Sequence, residues 1–237
     1  MQIILHRVNL NRYDVMAEKF PTRKPNKPKP CPRPYSLGKR KESSDEARRR
    51  CIEAAAALLA DSDTPALKME TVAAQAGVTR QTIYNLFGSK TELIEAVFDH
   101  LARTGGMQSM AAAMQQSDPN ARLSAMITTL AQFWTTTRTA TRHIRAMAAT
   151  DPDLRAAIQS RDQRRKMACQ HVVRGFGSAL APTRDPFLHV DLLWTLTSFE
   201  FFDMLAGDVR TPLWLAETVL QLARSALGLK MNHDKRA

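Results

Sequence analysis

The chain has 237 residues, of which 44% are apolar, so it can bury the cores of one small domain and one larger one. Its three cysteines, Cys31, Cys51 and Cys169, are scattered and odd in number, which argues against a disulfide framework or a zinc site and favours a reduced, cytoplasmic protein. No apolar run reaches the roughly 18 residues that span a bilayer, and the N-terminus does not resemble a secretory signal.

The net charge of +11 is distributed unevenly along the chain. Residues 1–44 contain 11 basic and 3 acidic residues, residues 45–100 contain 6 and 9, and residues 101–237 contain 17 and 11. A basic chain attracts phosphate, but the middle segment is acidic overall. Any nucleic-acid contact made by that segment must therefore depend on individual, locally positioned cations.

Residues 1–44 are predicted to be a disordered basic arm rather than a domain. Six prolines between Pro21 and Pro34 alternate with lysines and arginines, a composition typical of an extended, solvated chain. Three interpretations remain open. The arm could follow a DNA backbone or minor groove, it could be a tail without a role, or the start codon could be assigned too far upstream.

From residue 45 onward the pattern is helical, and strand-type alternation is absent. Ser43 with Glu46 and Ser89 with Glu92 have the spacing of capping boxes, and Thr79 is a further candidate cap. Asp or Thr directly before proline also marks four helix starts. The sequence predicts an all-α protein of about nine helices, at 45–60, 69–76, 80–86, 90–104, 120–137, 139–149, 152–178, 186–206 and 212–227.

The most informative segment is METVAAQAGVTRQTIYNLFGSK, residues 69–90. A two-turn helix ends at Gly77, a position that favours positive φ, and Thr79 caps a second short helix. Ile83 and Phe87, at i and i+4, are expected to face inward, which leaves a polar edge facing outward. Two short helices joined by a glycine-containing turn are typical of a helix-turn-helix that enters the major groove of DNA.

Residues 45–100 resemble the N-terminal domain of TetR (tetracycline-repressor-like) transcriptional regulators. The resemblance rests on positions that match in order and at fixed spacing: Ile52, Ala55, Leu59, Val72-Ala73, Ala76-Gly77-Val78-Thr79, Thr82-Ile83-Tyr84, Phe87-Gly88-Ser89-Lys90 and Glu92-Leu93. Two positions depart from the family pattern. Lys68 stands where a Ser or Thr cap is common, and Asn85 replaces the usual His or Tyr.

Chemistry and the resemblance together suggest seven DNA-binding residues: Thr79, Arg80, Gln81, Thr82, Tyr84, Asn85 and Lys90. Arg80 and Gln81, in the first turn of the recognition helix, could read guanine and adenine. The hydroxyls of Thr79, Thr82 and Tyr84 could bind phosphates, and Lys90 could bind a phosphate at the start of the next helix. Arg48 and Arg49 could also touch the DNA backbone.

The resemblance divides the chain into the arm at 1–44, a DNA-binding domain with a linking helix at 45–104, and a regulatory and dimerisation domain at 105–237. The apolar helices at about 186–206 and 212–227 are expected to pair two copies around a two-fold axis. A pocket for a small hydrophobic effector is expected between the fifth and eighth helices. Its candidate residues are Met126, Leu130, Phe133, Trp134, Ile144, Met147, Met167 and Phe176, with polar contacts from Arg138 and His143.

The predicted function is that of a cytoplasmic, homodimeric, ligand-responsive regulator of transcription that binds a (pseudo)palindromic operator as a repressor and is released by an effector. No phosphate-binding loop, nucleophile elbow or metal-ligand cluster appears, so neither an enzyme, a cofactor nor a metal is expected. One alternative is a constitutive DNA-binding protein whose larger domain only dimerises. Another is a helical interaction protein that no longer reads DNA.

Overall fold

The fold consists of eleven α-helices and one short 3-10 turn at Gly177–Ala179, in a computed structural model that describes residues 37–62 and 67–229, with side chains from residue 42 onward. The helices are α1 (Leu37–Ala60), α2 (Met69–Ala76), α3 (Arg80–Phe87), α4 (Lys90–Thr104), α5 (Ser109–Met114), α6 (Pro119–Thr136), α7 (Arg138–Ala148), α8 (Pro152–Phe176), α9 (Leu188–Leu196), α10 (Phe199–Ala206) and α11 (Pro212–Ala226). Within these residues there is no strand, so the all-α prediction is confirmed.

Most predicted helix starts are confirmed by side-chain caps. A hydroxyl or carboxylate at the N-cap accepts a hydrogen bond from a backbone N–H of the first turn, which satisfies a donor that would otherwise lack a partner. The caps of this kind that the sequence predicted are Thr79, Ser89, Asp118, Asp151 and Thr211. Lys68 precedes α2 without a side-chain cap, as its departure from the family pattern suggested.

The predicted capping box at Ser43 is wrong, because α1 already begins at Leu37 and runs through this serine. The residues Lys39 to Glu42 are good helix formers, and their propensity extends the helix past the local cap signal. The remainder of the predicted arm, residues 1–36 with Cys31, lies outside the described residues.

Three further differences lie after α4. Helix α5 was not predicted, since six residues with no side-chain cap at Gln108 give little signal in a sequence. The predicted helix 186–206 is divided into α9 and α10, because Ser198 is extended and its hydroxyl accepts from the Phe201 N–H at 3.2 Å. The predicted start at Asp185 is also displaced, and α9 begins at Leu188.

Two apolar cores organise residues 38–229, which belong to one compact unit. The first core joins α1–α4 to parts of α6, α7 and α8, and Ile83 and Leu93 are fully buried in it. The second core joins α6 and α8 to α9–α11, with Phe202 and Leu215 at its centre. Trp134 packs against both cores, so α6 connects the helix-turn-helix region with the C-terminal helices.

Candidate functional site

The turn between α2 and α3 has the geometry of a helix-turn-helix. Gly77 adopts φ 65° and ψ 39°, and its N–H bonds the carbonyls of Ala73 and Ala74 at the end of α2. A Cβ at this position would only reach ordinary contact with Arg50, so the positive φ rather than lack of space explains the glycine. Val78 follows and packs against the first core, which directs the chain into α3.

Helix α3 is attached to the protein by one apolar edge and exposes the other. Ile83 and Phe87 are buried, whereas Arg80, Gln81 and Asn85 are exposed and Thr82 and Tyr84 are half-buried. All six predicted residues from Thr79 to Asn85 therefore lie on or beside a helix edge that is accessible to solvent. Such an edge can enter a major groove while Ile83 and Phe87 stay packed in the core.

The side chains of this edge are paired with one another. Arg80 forms an ion pair with Glu70 at 2.9 Å and approaches the Tyr84 hydroxyl at 3.5 Å. Both contacts raise the pKa of Arg80, that with Tyr84 more strongly, so the guanidinium stays charged. Exposed ion pairs of this kind contribute about 0–1 kcal/mol, so Arg80 can exchange Glu70 for another acceptor at little cost.

The remaining polar groups of α3 are also pre-arranged. Gln81 donates to the Asn85 side-chain oxygen at 3.0 Å, which keeps both amides on the outer edge. The Thr79 oxygen caps α3 by accepting from the Thr82 N–H at 3.1 Å and lies 2.8 Å from the Thr82 hydroxyl. These two hydroxyls therefore stabilise the helix start and still lie at an exposed surface.

Lys90 lies in the first turn of α4, half-buried, directly after the Ser89 cap. Ser89 accepts from the Glu92 N–H at 3.1 Å. A lysine beside the free N–H groups of a helix start is well suited to hold a phosphate. Lys90 lies only three residues after Phe87, the last residue of α3, so Lys90 and α3 could contact the same DNA strand.

Replacing Lys90 with alanine is expected to weaken binding to all DNA sequences alike and to lower the slope of log affinity against log salt by about one unit. The reason is that one fewer phosphate counterion would be released. Fluorescence anisotropy at several salt concentrations measures the slope. Arg174→Ala, which removes an exposed charge from α8, should leave it unchanged. An unaltered slope for Lys90→Ala would remove this residue from the contacts.

Arg48 and Arg49 have other partners in the free protein. Arg48 donates to the Leu86 carbonyl at 2.7 Å and lies 4.3 Å above the Phe87 ring centre, so it holds α1 against the end of α3. Arg49 forms ion pairs with Glu46 at 2.6 Å and Glu53 at 2.8 Å. The positioning role of Arg48 was missed in the sequence, because its partner is a backbone carbonyl 38 residues away.

A cavity of about 290 Å³ lies among α4, α6, α7 and α8. Four of the predicted pocket residues line it: Met126, Leu130, Phe133 and Trp134. The other four do not line it: Ile144 and Phe176 are buried in the first and second cores, Met147 packs against the first, and Met167 is exposed.

The predicted polar contacts of this cavity are engaged elsewhere. His143 Nδ1 lies 2.9 Å from the Leu59 carbonyl, and Arg138 forms an ion pair with Asp203 at 2.6 Å. The charged groups that do line the cavity were missed: Asp99, Arg145, Arg161, Asp162, Arg164 and Arg165. The spacing of Arg161 and Arg165, four residues apart on one helix face, was the available signal.

The C-terminal helices carry an open apolar groove between α9 and α11. It is lined by Leu188, Leu192, Leu196, Leu222 and Ala226, together with Asp191, Thr195 and Ser225. Leu188 and Leu222 remain 39% and 41% exposed, so the groove presents apolar surface to solvent. This groove lies within the two segments that the sequence predicted for self-association.

Comparison with known families supports the interpretation of the first domain. Residues 52–97 match the model of the bacterial regulatory proteins, tetR family. This chain has a TetR-family helix-turn-helix domain. The match covers α2 and α3 and about half of α4, so the predicted resemblance is confirmed.

Solved structures of TetR regulators share the fold over most of this chain. A TetR-like transcriptional regulator from Rhodococcus sp. RHA1 is 20% identical, with 78% of this chain and 97% of that chain covered and a TM-score of 0.59. A TetR family transcription regulator from Marinobacter aquaeolei VT8 is 20% identical (79% and 98% covered, TM-score 0.57). A TetR family transcriptional regulator from Thermus thermophilus is 19% identical (78% and 97% covered, TM-score 0.54). Comparison with curated proteins gives no match.

Residues 52–97 thus match a TetR-family DNA-binding domain, and most of the chain shares the fold of solved TetR regulators. Among the residues that the structure describes, no group of three or more His, Cys, Asp or Glu side chains could hold a metal ion. No helix in these same ranges is both long and apolar enough to cross a membrane.

Proposed function

We propose that this TetR-family protein is a ligand-responsive repressor that binds a (pseudo)palindromic operator as a homodimer and is released by a small-molecule effector. The observation that carries the proposal is the exposed polar edge of α3, mounted on a buried Ile83 and Phe87. Because the target is duplex DNA, we propose a cytoplasmic location. No catalytic role is part of the proposal.

Sequence readout is assigned to Arg80 and Gln81, the first two residues of α3. An arginine here can bind guanine through two hydrogen bonds, and a glutamine can bind adenine in the same way. The pairing of Arg80 with Glu70 supports this role, since it holds the guanidinium at the exposed surface beside Tyr84 in the absence of DNA. Thr79, Thr82, Tyr84, Asn85 and Lys90 would bind the backbone around it.

Changing Arg80 to alanine is expected to cost about 1–3 kcal/mol of operator affinity and to relax the preference at one base position in each half-site. A selection from randomised operators, followed by anisotropy titration, measures both effects. Arg174→Ala is the control, because it removes an exposed arginine from α8, outside the helix-turn-helix. An unchanged base preference would contradict the readout role.

The same change leaves Glu70 without its partner, and a free carboxylate near DNA would itself weaken binding. The double variant Arg80→Ala with Glu70→Gln separates the two effects. If base reading is lost, the double variant keeps the relaxed preference. If repulsion alone is responsible, it recovers most of the affinity.

The homodimer is proposed to form through α9 and α11. Their groove exposes several leucines, and a single helix-turn-helix with two short helices gives weak, half-site binding. Two copies related by a two-fold axis would bury these leucines and would present two recognition helices about one DNA turn apart. A symmetric operator requires a symmetric protein for both half-sites to be read.

Effector response is proposed to pass from the cavity to the DNA-binding domain through α4. Arg161 on α8 donates to the Asp99 carboxylate at 2.9 Å and to the Glu95 carbonyl at 3.3 Å, and it lies 4.7 Å above the Phe98 ring. Asp99, Phe98 and Arg161 all line the cavity. A ligand that binds one position of these groups better than another would shift α4, whose first residue is Lys90.

A thermal-shift screen against the full chain, followed by operator titration with each ligand found, tests the response. A compound that raises the melting temperature and lowers operator affinity supports an effector-released repressor. If ligands bind without changing operator affinity, or none binds, the chain is instead a constitutive DNA-binding protein whose C-terminal helices dimerise. Reporter expression with and without the gene distinguishes repression from activation.

A further inference from the structure

One of the arginines that line the cavity lacks part of the hydrogen bonding that its buried charge requires. The Arg165 side chain on α8 is only 9% exposed. One of its terminal nitrogens donates to the Trp194 carbonyl and the Thr197 hydroxyl, and the other lies 3.4 Å from Asp162. Its Nε is buried and has no hydrogen-bond partner among the described residues. A buried, charged donor without a partner is costly and rare in folded proteins.

The single carboxylate beside Arg165 is shared with a second arginine. Asp162 also lies 3.2 Å from Arg145, which in turn pairs with Glu200 at 2.6 Å. Burial lowers the pKa of Arg165 and the charge of Asp162 opposes this effect. The cavity lining has four arginines against two aspartates, so its electrostatic field favours a negatively charged ligand.

The rest of the cavity wall is apolar and adaptable. It is formed by Phe98, Met107, Met110, Met126, Phe133 and Trp134. Flexible methionines and flat aromatic rings can enclose aliphatic or aromatic groups of various shapes. A volume of about 290 Å³ lies near the lower end of the range of about 300–1,000 Å³ that is typical of ligand pockets, so it suits a small ligand.

We infer that the effector is a small amphipathic monoanion, whose carboxylate or similar oxyanion binds Arg165 and whose apolar part packs against Trp134 and the methionines. This inference deepens the proposed effector response and rests on it for its biological meaning. The anion supplies the acceptor that Arg165 Nε lacks, and the apolar part fills the wall. A neutral or cationic molecule of the same length packs against the apolar wall but supplies no anionic acceptor to Arg165.

The test uses three probes that share one apolar chain: decanoate, decan-1-ol and decylamine. Calorimetric titration of the full chain should show decanoate binding at least tenfold more tightly than either of the others. Arg165→Met should weaken decanoate by at least tenfold and leave decan-1-ol unchanged. Arg165→Lys, which retains the charge, should recover part of the decanoate affinity. Arg174→Met, an exposed position on the same helix, is the control and should bind as the original chain does.

Equal affinity for the three probes, or tighter binding of decylamine, overturns the inference. It is also overturned if none of the three anions decanoate, octanoate and 4-phenylbutyrate binds at millimolar concentration. Should Arg165→Met fail to fold, the comparison of the three probes on the unchanged chain still decides. If decanoate binds through Arg165 but operator affinity stays constant, the site stands and the proposed effector response fails.

Discussion

Replacing Leu222 with glutamate is expected to leave a folded chain that no longer dimerises and that binds its operator about a thousand-fold more weakly, on the order of 4 kcal/mol. Leu222 lies in the groove between α9 and α11 and is already 41% exposed, so the single chain tolerates a charge there. In a two-fold interface the change places two unpaired carboxylates in an apolar contact. Without the partner, each recognition helix binds only its own half-site.

Sedimentation velocity measures the dimer, and anisotropy with a complete operator measures the affinity. The matched control is Leu213→Glu, which introduces the same charge into the same helix. Leu213 is 67% exposed and lies nine residues away, on the opposite side of α11 at about 100° per residue. A dimer that survives Leu222→Glu, or one that is lost equally in Leu213→Glu, would contradict the proposed interface.

Ile83→Ala is expected to lower the free energy of unfolding of the DNA-binding domain by about 2–5 kcal/mol. Ile83 is fully buried and is one of only two buried side chains on α3, so its loss leaves a cavity beneath the recognition helix. This is a large share of a typical stability of about 5–15 kcal/mol. Operator binding should fall with it, while the proposed dimer contacts of α9 and α11 should persist.

The tryptophans allow the two cores to be followed separately. Trp194 and Trp214 lie outside the first core, but Trp134 packs against both cores. In a Trp134→Phe background, tryptophan fluorescence therefore reports on the C-terminal helices, whereas far-ultraviolet circular dichroism reports on all helices. In urea titrations, Ile83→Ala should move the midpoint of the dichroism transition to lower urea concentration more than it moves the midpoint of the tryptophan fluorescence transition. Leu86→Ala, on the same helix but only half-buried, should cost less than about 2 kcal/mol. A loss below about 1 kcal/mol for Ile83→Ala would show that α3 is held by other contacts.

The helix-turn-helix could be predicted closely because its signals are local. Gly77 requires a positive φ, Thr79 and Ser89 cap helices through donors three residues away, and Ile83 and Phe87 share one helix face. None of these effects depends on residues that are distant in the chain. The sequence therefore predicted the bounds of α2 and α4 to the residue and α3 to within one residue.

The cavity among α4, α6, α7 and α8 could be predicted only in part because its contacts are long-range. Apolar residues on α6 were identified by helix periodicity, and four of them line the cavity. His143 and Arg138 were assigned to it wrongly, since their partners Leu59 and Asp203 are 84 and 65 residues away. The periodicity of α8 showed that Arg161 and Arg165 share a face, but it did not show that this face is buried.

The division between α9 and α10 could not be anticipated from the apolar pattern alone, since most residues of both helices are apolar. It depends on Ser198, whose hydroxyl replaces a backbone acceptor, and on Thr197, whose hydroxyl donates to the Leu193 carbonyl at 2.7 Å. Side-chain hydrogen bonds of this kind compete with the regular helix pattern. A Thr-Ser pair inside an apolar helix prediction is the sequence signal for such a break.

This break also has a mechanical consequence. Trp134 donates to the Thr197 carbonyl at 3.2 Å, and Arg165 donates to the Thr197 hydroxyl at 3.0 Å, so two cavity residues hold the joint between α9 and α10. A ligand that moved Arg165 or Trp134 toward the cavity would weaken these hydrogen bonds. The angle between α9 and α10, and with it the shape of the proposed dimer surface, would then change. In the proposed dimer, the angle between the two protomers would then respond to the cavity directly, as a second route besides the proposed one through α4.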